Sequence, residues 1–260
     1  MSLIELLVVV VIAGTMLAAV TQLLVVQQRG YRQEMAITRA RQTARTSLEL
    51  LATELRELSA TGGDILSATE TSLEIRALRK LGFVCESTSP YVGVWQVGYP
   101  FAPDADPEPV LVYSGATDSW VEAEVKKEQG TPSCPHWDGA TAARLLITPP
   151  INAELGSPIR GYETLIYGLY EIDGASVVGR LAPGDPAPVA LLGPVADGDG
   201  LRFQYFDEND NPFSPNSPQD RARIRRIRIE VKAVEIGGSM SQRDYIETLA
   251  TDVRLRGNAS

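Results

Sequence analysis

Hydrophobic positions are unbroken at the start of the chain and become periodic further along. From Leu6 to Val20 nearly every residue is apolar, and the run continues to Val26 with Thr21 and Gln22 as interruptions. Between Met1 and Gln28 the sole charged side chain is Glu5. At ~1.5 Å per residue, a helix of about 21 such residues spans roughly 30 Å, the thickness of a bilayer's hydrocarbon core. Residues 27–60 contain no proline and one glycine, Gly30, and there Ile37, Ala40, Ala44, Leu48, Leu51, Leu55 and Leu58 recur every three or four positions. That spacing is one apolar stripe on a helix, with Arg39, Arg45, Glu49 and Arg56 off the stripe. Thr61-Gly62-Gly63-Asp64 supplies a glycine stop. The pattern predicts one helix from residue 1 to about 59, ~90 Å long, apolar all round in its first half and amphipathic in its second. A membrane anchor alone has no use for the leucine stripe, so 29–59 is expected to pack on the remaining chain.

Beyond the helix the pattern changes to short β-branched and aromatic runs bounded by Gly, Pro, Asn or Asp. Candidate strands are Ser72–Leu78, Tyr91–Val97, Pro109–Tyr113, Arg144–Thr148, Thr164–Ile172, Leu201–Phe206, Ile224–Val234 and Tyr245–Leu255. In the penultimate one, Ile227, Ile229, Val231 and Ala233 alternate with Arg226, Arg228, Glu230 and Lys232, the period of a half-buried strand. Asp207–Pro218 is a turn-rich connection, and the Pro-rich stretches 100–109 and 182–188 are expected to be surface loops. A helix followed by strands predicts an α+β fold with the helix covering antiparallel sheet, and the eight strands can divide into two sheets. The expected organisation is an apolar helix at 1–28 and a globular part at 29–260, the latter made of the half-helix 29–59 and a β-rich region 60–260.

Composition sharpens this picture in two ways. The net charge of −9 disfavours nucleic acid as the main partner. The two cysteines, Cys85 and Cys134, both fall in the polar region. If that region is exported, a disulfide between them closes a loop of about 50 residues, worth roughly 4 kcal/mol in the chain-entropy view. In a reducing compartment they would remain two thiols. A cleaved signal peptide is the ordinary alternative for the apolar run. It would have a basic start and a small-residue cleavage site, and neither is present.

The N-terminus reads Met1-Ser2-Leu3-Ile4-Glu5-Leu6-Leu7-Val8. This resembles the processed N-terminus of type IV pilins and type II secretion pseudopilins, in which Phe, then Thr or Ser, then Leu-Ile-Glu-Leu precede an apolar helix. Ser2 to Leu6 match in register, and Met1 departs from the usual phenylalanine. The resemblance implies a pilin-like fold, a leader removed by a prepilin peptidase, and a methylated amine on Met1, unless Met1 is simply a start residue. It also implies a role for Glu5. A carboxylate within an apolar run costs at least ~2.5 kcal/mol on insertion scales, so it should be paired. In this family its partner is the N-terminal amine of a neighbouring subunit, which sets the axial step of the filament. The alternative is that Glu5 lies at headgroup depth and snorkels to water. Gly14 is a candidate for local helix stretching on assembly, or for close helix–helix packing. Gln22 stands where many major pilins have proline. Leu165–Ile172, Gly179-Arg180, Ala190–Val195, Leu201–Asp207, Ile227–Val231 and Val253-Arg254-Leu255-Arg256, in that order, resemble W-type minor pilins and J-type minor pseudopilins. Residues 80–160 resemble no family.

Other chemistry is sparse. The one histidine, His136, sits beside Cys134 and Trp137 without the further groups a metal site or nucleophilic pair needs. Asp207, Asn209 and Asn211 echo a calcium loop, as does the acidic turn Asp197, Asp199, Gly200, but neither has the glycine and glutamate of an EF-hand. Arg221, Arg223, Arg225, Arg226 and Arg228 form a basic strand that reads as a solvated face balanced by acids. The expectation is therefore a non-enzymatic filament subunit, without cofactor or metal. It would be held in the inner membrane by a single pass before assembly and sit in a surface filament or periplasmic pseudopilus after it. Its partners would be copies of itself or other pilins, the prepilin peptidase, an inner-membrane assembly platform and membrane lipid. The alternative is a signal-anchored exported domain that binds a ligand or hydrolyses a substrate.

Overall fold

The element that dominates the computed structural model, which describes residues 3–102, 106–130, 132, 134, 142–235 and 245–255, is the helix α1, Leu3–Arg56. Its second half buries Ala40, Ala44, Leu48, Leu51, Ala52 and Leu55, so the leucine stripe is the face that packs. Packing begins near Ala36, later than the 29–59 expected from the amphipathic pattern, because residues 29–32 present no apolar side chain other than Tyr31. The helix also ends earlier than the glycine pair indicates. The chain turns through Ala60–Asp64, where Gly63 takes φ +80° and the Asp64 carboxylate accepts the Ser59 N–H at 2.7 Å.

Among the described residues thirteen strands and one short helix follow. The strands are β1 (Ile65–Ala68), β2 (Ser72–Thr88), β3 (Tyr91–Val97), β4 (Glu108–Ser114), β5 (Ser119–Glu128), β6 (Ala142–Thr148), β7 (Pro158–Ile172), β8 (Ala175–Leu181), β9 (Val189–Leu192), β10 (Leu201–Phe206), β11 (Pro212–Phe213), β12 (Arg226–Glu235) and β13 (Tyr245–Arg254), with α2 at Pro218–Ala222 between β11 and β12. All described pairings between strands are antiparallel. The molecule is thus an α+β architecture, one long N-terminal helix on antiparallel sheets, with more sheet than the sequence pattern indicated.

Two strands organise everything else. β2 and β7 pair along most of their length, from Ser72 opposite Gly168 to Phe83 opposite Pro158. Their outer ends, with β1, β8 and β9, form a sheet whose inward residues Leu73, Ile75, Ala77, Leu165, Tyr167 and Val178 face α1. A second sheet, ordered β11-β10-β12-β13, adds Leu201, Phe203, Ile227, Ile229, Val231, Ala233 and Val253 to the same core. The segment around Val195 ties the two sheets together. Its N–H bonds to Ser176 on β8, and Val195 bridges to Ala233 on β12.

The other ends of β2 and β7 enter a different structure. Going round β2, β3, β6, β5, β4 and β7, each strand pairs with the next, and β7 pairs with β2 again, so these strands between residues 79 and 161 form a closed barrel. Closure leaves no free edge in this ring. Its interior is a second core, separate from the first, built from Val84, Val92, Val94, Val110, Val112, Ala123, Val125, Ala143, Leu145, Ile147 and Ile159. Phe101 also plugs this core, its N–H held by Gln96 Oε1 at 2.6 Å, so the Pro-rich stretch at 100–109 is not wholly a surface loop.

Candidate functional site

The feature without a partner inside the chain is the first half of α1. Every described side chain from Leu7 to Arg32 is exposed, Leu17 to 68 %. The contacts of α1 with the sheets, chiefly with β12 and β13, fall on its buried second half. The helix is long and apolar enough to cross a membrane. Exposing so many Val, Leu and Met side chains to water costs ~25 cal/mol per Å² of apolar surface, so this segment requires an apolar surrounding, either lipid or other helices.

The sequence-derived candidates fall on this helix unevenly. Glu5 lies in the helical backbone of α1, but its side chain, like the whole of Met1, is outside the described residues. Gly14 is mid-helix, and a Cβ added there would meet nothing within 4 Å. Nothing in the single chain therefore requires glycine at that position. Thr15 and Thr21 return their hydroxyls to helix carbonyls at Ile12, Leu17 and Ala18, which removes the cost of carrying them into an apolar medium.

Cys85, on the barrel segment of β2, and Cys134, between β5 and β6, are joined by a disulfide with Cα atoms 5.3 Å apart. His136 and Trp137 lie outside the described residues. The five arginines at 221–228 are all engaged by their own domain. Arg221 donates to the Ile65 carbonyl, Arg225 to Ala222 and Ile224, Arg223 pairs with Asp207 and Asp220, and Arg226 and Arg228 share Asp252. Asp207 accepts the N–H groups of Asn209 and Asn211, and those bonds hold its carboxyl below the ordinary range. This is turn chemistry. Among the described residues no group of three or more His, Cys, Asp or Glu could hold a metal ion.

One set of residues had no individual signal in the sequence: the charged joint between the two cores. Arg79 pairs with both Glu54 on α1 and Glu163 on β7, and Arg76 pairs with Glu122 on β5 while its guanidinium stacks on Tyr162. Below them lies a small cleft of about 220 Å³ lined by Asp64, Arg76, Leu111, Arg160 and Tyr162. Burial pushes the Asp64 carboxyl above its ordinary range, against the opposing pull of the Ser59 N–H and of Arg160 and Arg76. Comparison of the chain with family models, with curated proteins and with solved structures finds no match in any of the three.

Proposed function

We propose that this chain is a structural subunit, pilin or minor pilin, of a type IV pilus-like or secretion-pseudopilus filament. The observation that carries the reading is the two-faced use of one helix. Its first half is apolar and uncovered by its own chain, and its second half is the central packing element of the folded domain. A helix used only as a tether has no need to continue without a break into the domain core. In the proposed cycle the subunit is stored in the inner membrane by the uncovered half. An assembly platform that is not part of this chain then extracts it, and lipid contacts are exchanged for contacts with sister helices. Glu5, in the register of the pilin N-terminus, would meet the terminal amine of an adjoining subunit, which in the family is methylated after leader removal. The barrel, whose core is separate from the one the helix stripe packs into, would project from the filament.

The test is the charge at position 5. Glu5→Ala and Glu5→Lys should leave membrane insertion and the folded domain intact while incorporation into sheared filaments drops at least tenfold. Normal incorporation of both variants would sink the filament reading and favour a signal-anchored exported domain that binds a ligand or hydrolyses a substrate.

A further inference from the structure

We propose that Arg29, Tyr31 and Arg32 form a binding site for the headgroup of an anionic phospholipid, at the boundary where α1 leaves the membrane. The inference rests on the reading of residues 6–26 as a membrane span and adds the lipid class that span selects.

Position is the first argument. Val26 ends the apolar run, and Arg29 and Arg32 follow three and six residues later. At ~1.5 Å per residue this puts them about 4–9 Å beyond the hydrocarbon edge, within the roughly 5–7 Å headgroup layer or at its outer rim. Tyr31 lies between them and is exposed, in the amphipathic place that tyrosine favours at a membrane interface. Leu24, Gln27, Gln28, Tyr31 and Arg32 line one shallow surface depression, apolar at the Leu24 end and cationic at the Arg32 end. That gradient is the one a phospholipid presents, acyl chain below and phosphate above.

Charge is the second argument, and it is independent. Arg29 and Arg32 stand three residues apart on the helix, so two like charges are neighbours. From Leu6 to Gln33 the sequence contains no Asp or Glu, and Glu34 is at neither the i±3 nor the i±4 position of either arginine. Among the described residues Arg29 and Arg32 form no ion pair. Further along the same helix the domain does supply counter-charges. Arg39 pairs with Glu235 at 3.6 Å, and Arg41 with Glu247 at 3.1 Å. Arg39 and Arg41 are thus neutralised by the domain, whereas Arg45 and Arg56 on the packed half form no ion pair among the described residues. Arg29 and Arg32 are the unpaired arginines that lie outside the packed part of the helix, which starts near Ala36, and directly beside the apolar run. An arginine at headgroup depth gains about fivefold in association from anionic lipid, the factor equivalent to ~1 kcal/mol, and guanidinium forks match phosphate oxygens in pairs.

The full chain would be reconstituted into nanodiscs of phosphatidylcholine alone and of phosphatidylcholine with one-fifth phosphatidylglycerol, and the lipid retained after gentle detergent extraction quantified by mass spectrometry. Phosphatidylglycerol should be enriched on the wild-type protein by about fivefold per arginine. The enrichment should disappear in Arg29→Gln/Arg32→Gln and persist in Arg56→Gln, which removes a charge far from the span. Inorganic phosphate at millimolar concentration should leave the enrichment unchanged. Equal retention of both lipids, an undiminished preference in the double variant, or displacement by phosphate would each overturn the lipid site while leaving the membrane span standing. Failure of the wild type to insert into either bilayer would overturn both.

Discussion

Arg79 on β2 reaches Glu54 on α1, with 3.2 Å between guanidinium and carboxylate. The contact sits where β2 leaves the helix-packed sheet and enters the barrel, and Arg79 holds Glu163 on β7 with its Nε at 3.1 Å. One cation thus clamps the helix to both strands that connect the two cores.

Because both members of the Arg79–Glu54 pair are about a third exposed, solvent screens it. Its removal should cost no more than about 1 kcal/mol of global stability. The local effect should be larger. In Glu54→Gln, hydrogen exchange should quicken along Leu78–Gly82 and Ile159–Glu163 more than in the interior of the barrel. A double-mutant cycle with Arg79→Gln that returned no coupling would show the pair to be decorative.

The disulfide is placed to act on only one core. Cys85 and Cys134 are separated by 49 positions, and both belong to the barrel. A loop of this length is worth ~4 kcal/mol in the unfolded-state entropy model. Reduction, or Cys85→Ser with Cys134→Ser, should therefore loosen β3, β5 and β6 while protection in β12 and β13 stays close to that of the oxidised protein. Equal loss of protection across both cores would show that they do not fold as separate units.

How far the sequence disclosed this arrangement depended on whether a pattern was local. The helix stripe and the alternation from Arg226 to Val234 are local, and both were legible residue by residue. The barrel was not. Ser119–Glu128 sets Val121, Ala123 and Val125 among three glutamates and a lysine pair, so it reads as a polar loop until β4 and β6 are placed on either side. The candidate at Ser72–Leu78 stopped halfway because Arg79 and Lys80 interrupt the run. In the structure these two cations satisfy Glu54, Glu163 and Glu108 at the joint, so the strand continues to Thr88. For the first half of α1, the apolar run could be read directly, but what covers it could not, since no described part of the chain packs on it.

Gly82 closes the barrel at the β2–β7 seam, opposite Ile159. A Cβ built there would lie 2.4 Å from Val94 Cγ1 and 2.9 Å from the Trp95 carbonyl oxygen. The second of these atoms is backbone and cannot swing away. Gly82→Ala should cost about 1–3 kcal/mol through overpacking, seen as a lower denaturation midpoint with an unchanged slope. A midpoint equal to wild type would mean that the seam is looser than this geometry requires.

Asp64 gives the molecule a pH dependence whose sign can be worked out. The residue is only 8 % exposed, and burial raises its pKa above the ordinary 3.8 in spite of the Ser59 N–H and the nearby Arg160 and Arg76. The native state therefore holds this proton more tightly than the unfolded chain does. The associated stability is fully present below 3.8 and is lost as pH climbs through the raised native value. Asp64→Asn keeps an oxygen to accept the Ser59 N–H but carries no charge to desolvate. The variant should match the wild type in strong acid. It should become the more stable of the two as pH rises past that window, with the gap levelling off once the wild-type carboxyl has ionised. Urea unfolding of the detergent-held chain at a series of pH values measures this difference. A variant that is less stable than wild type at neutral pH would mean that attraction to Arg76 and Arg160 outweighs burial, and that the carboxylate works as an ion-pair partner at the joint.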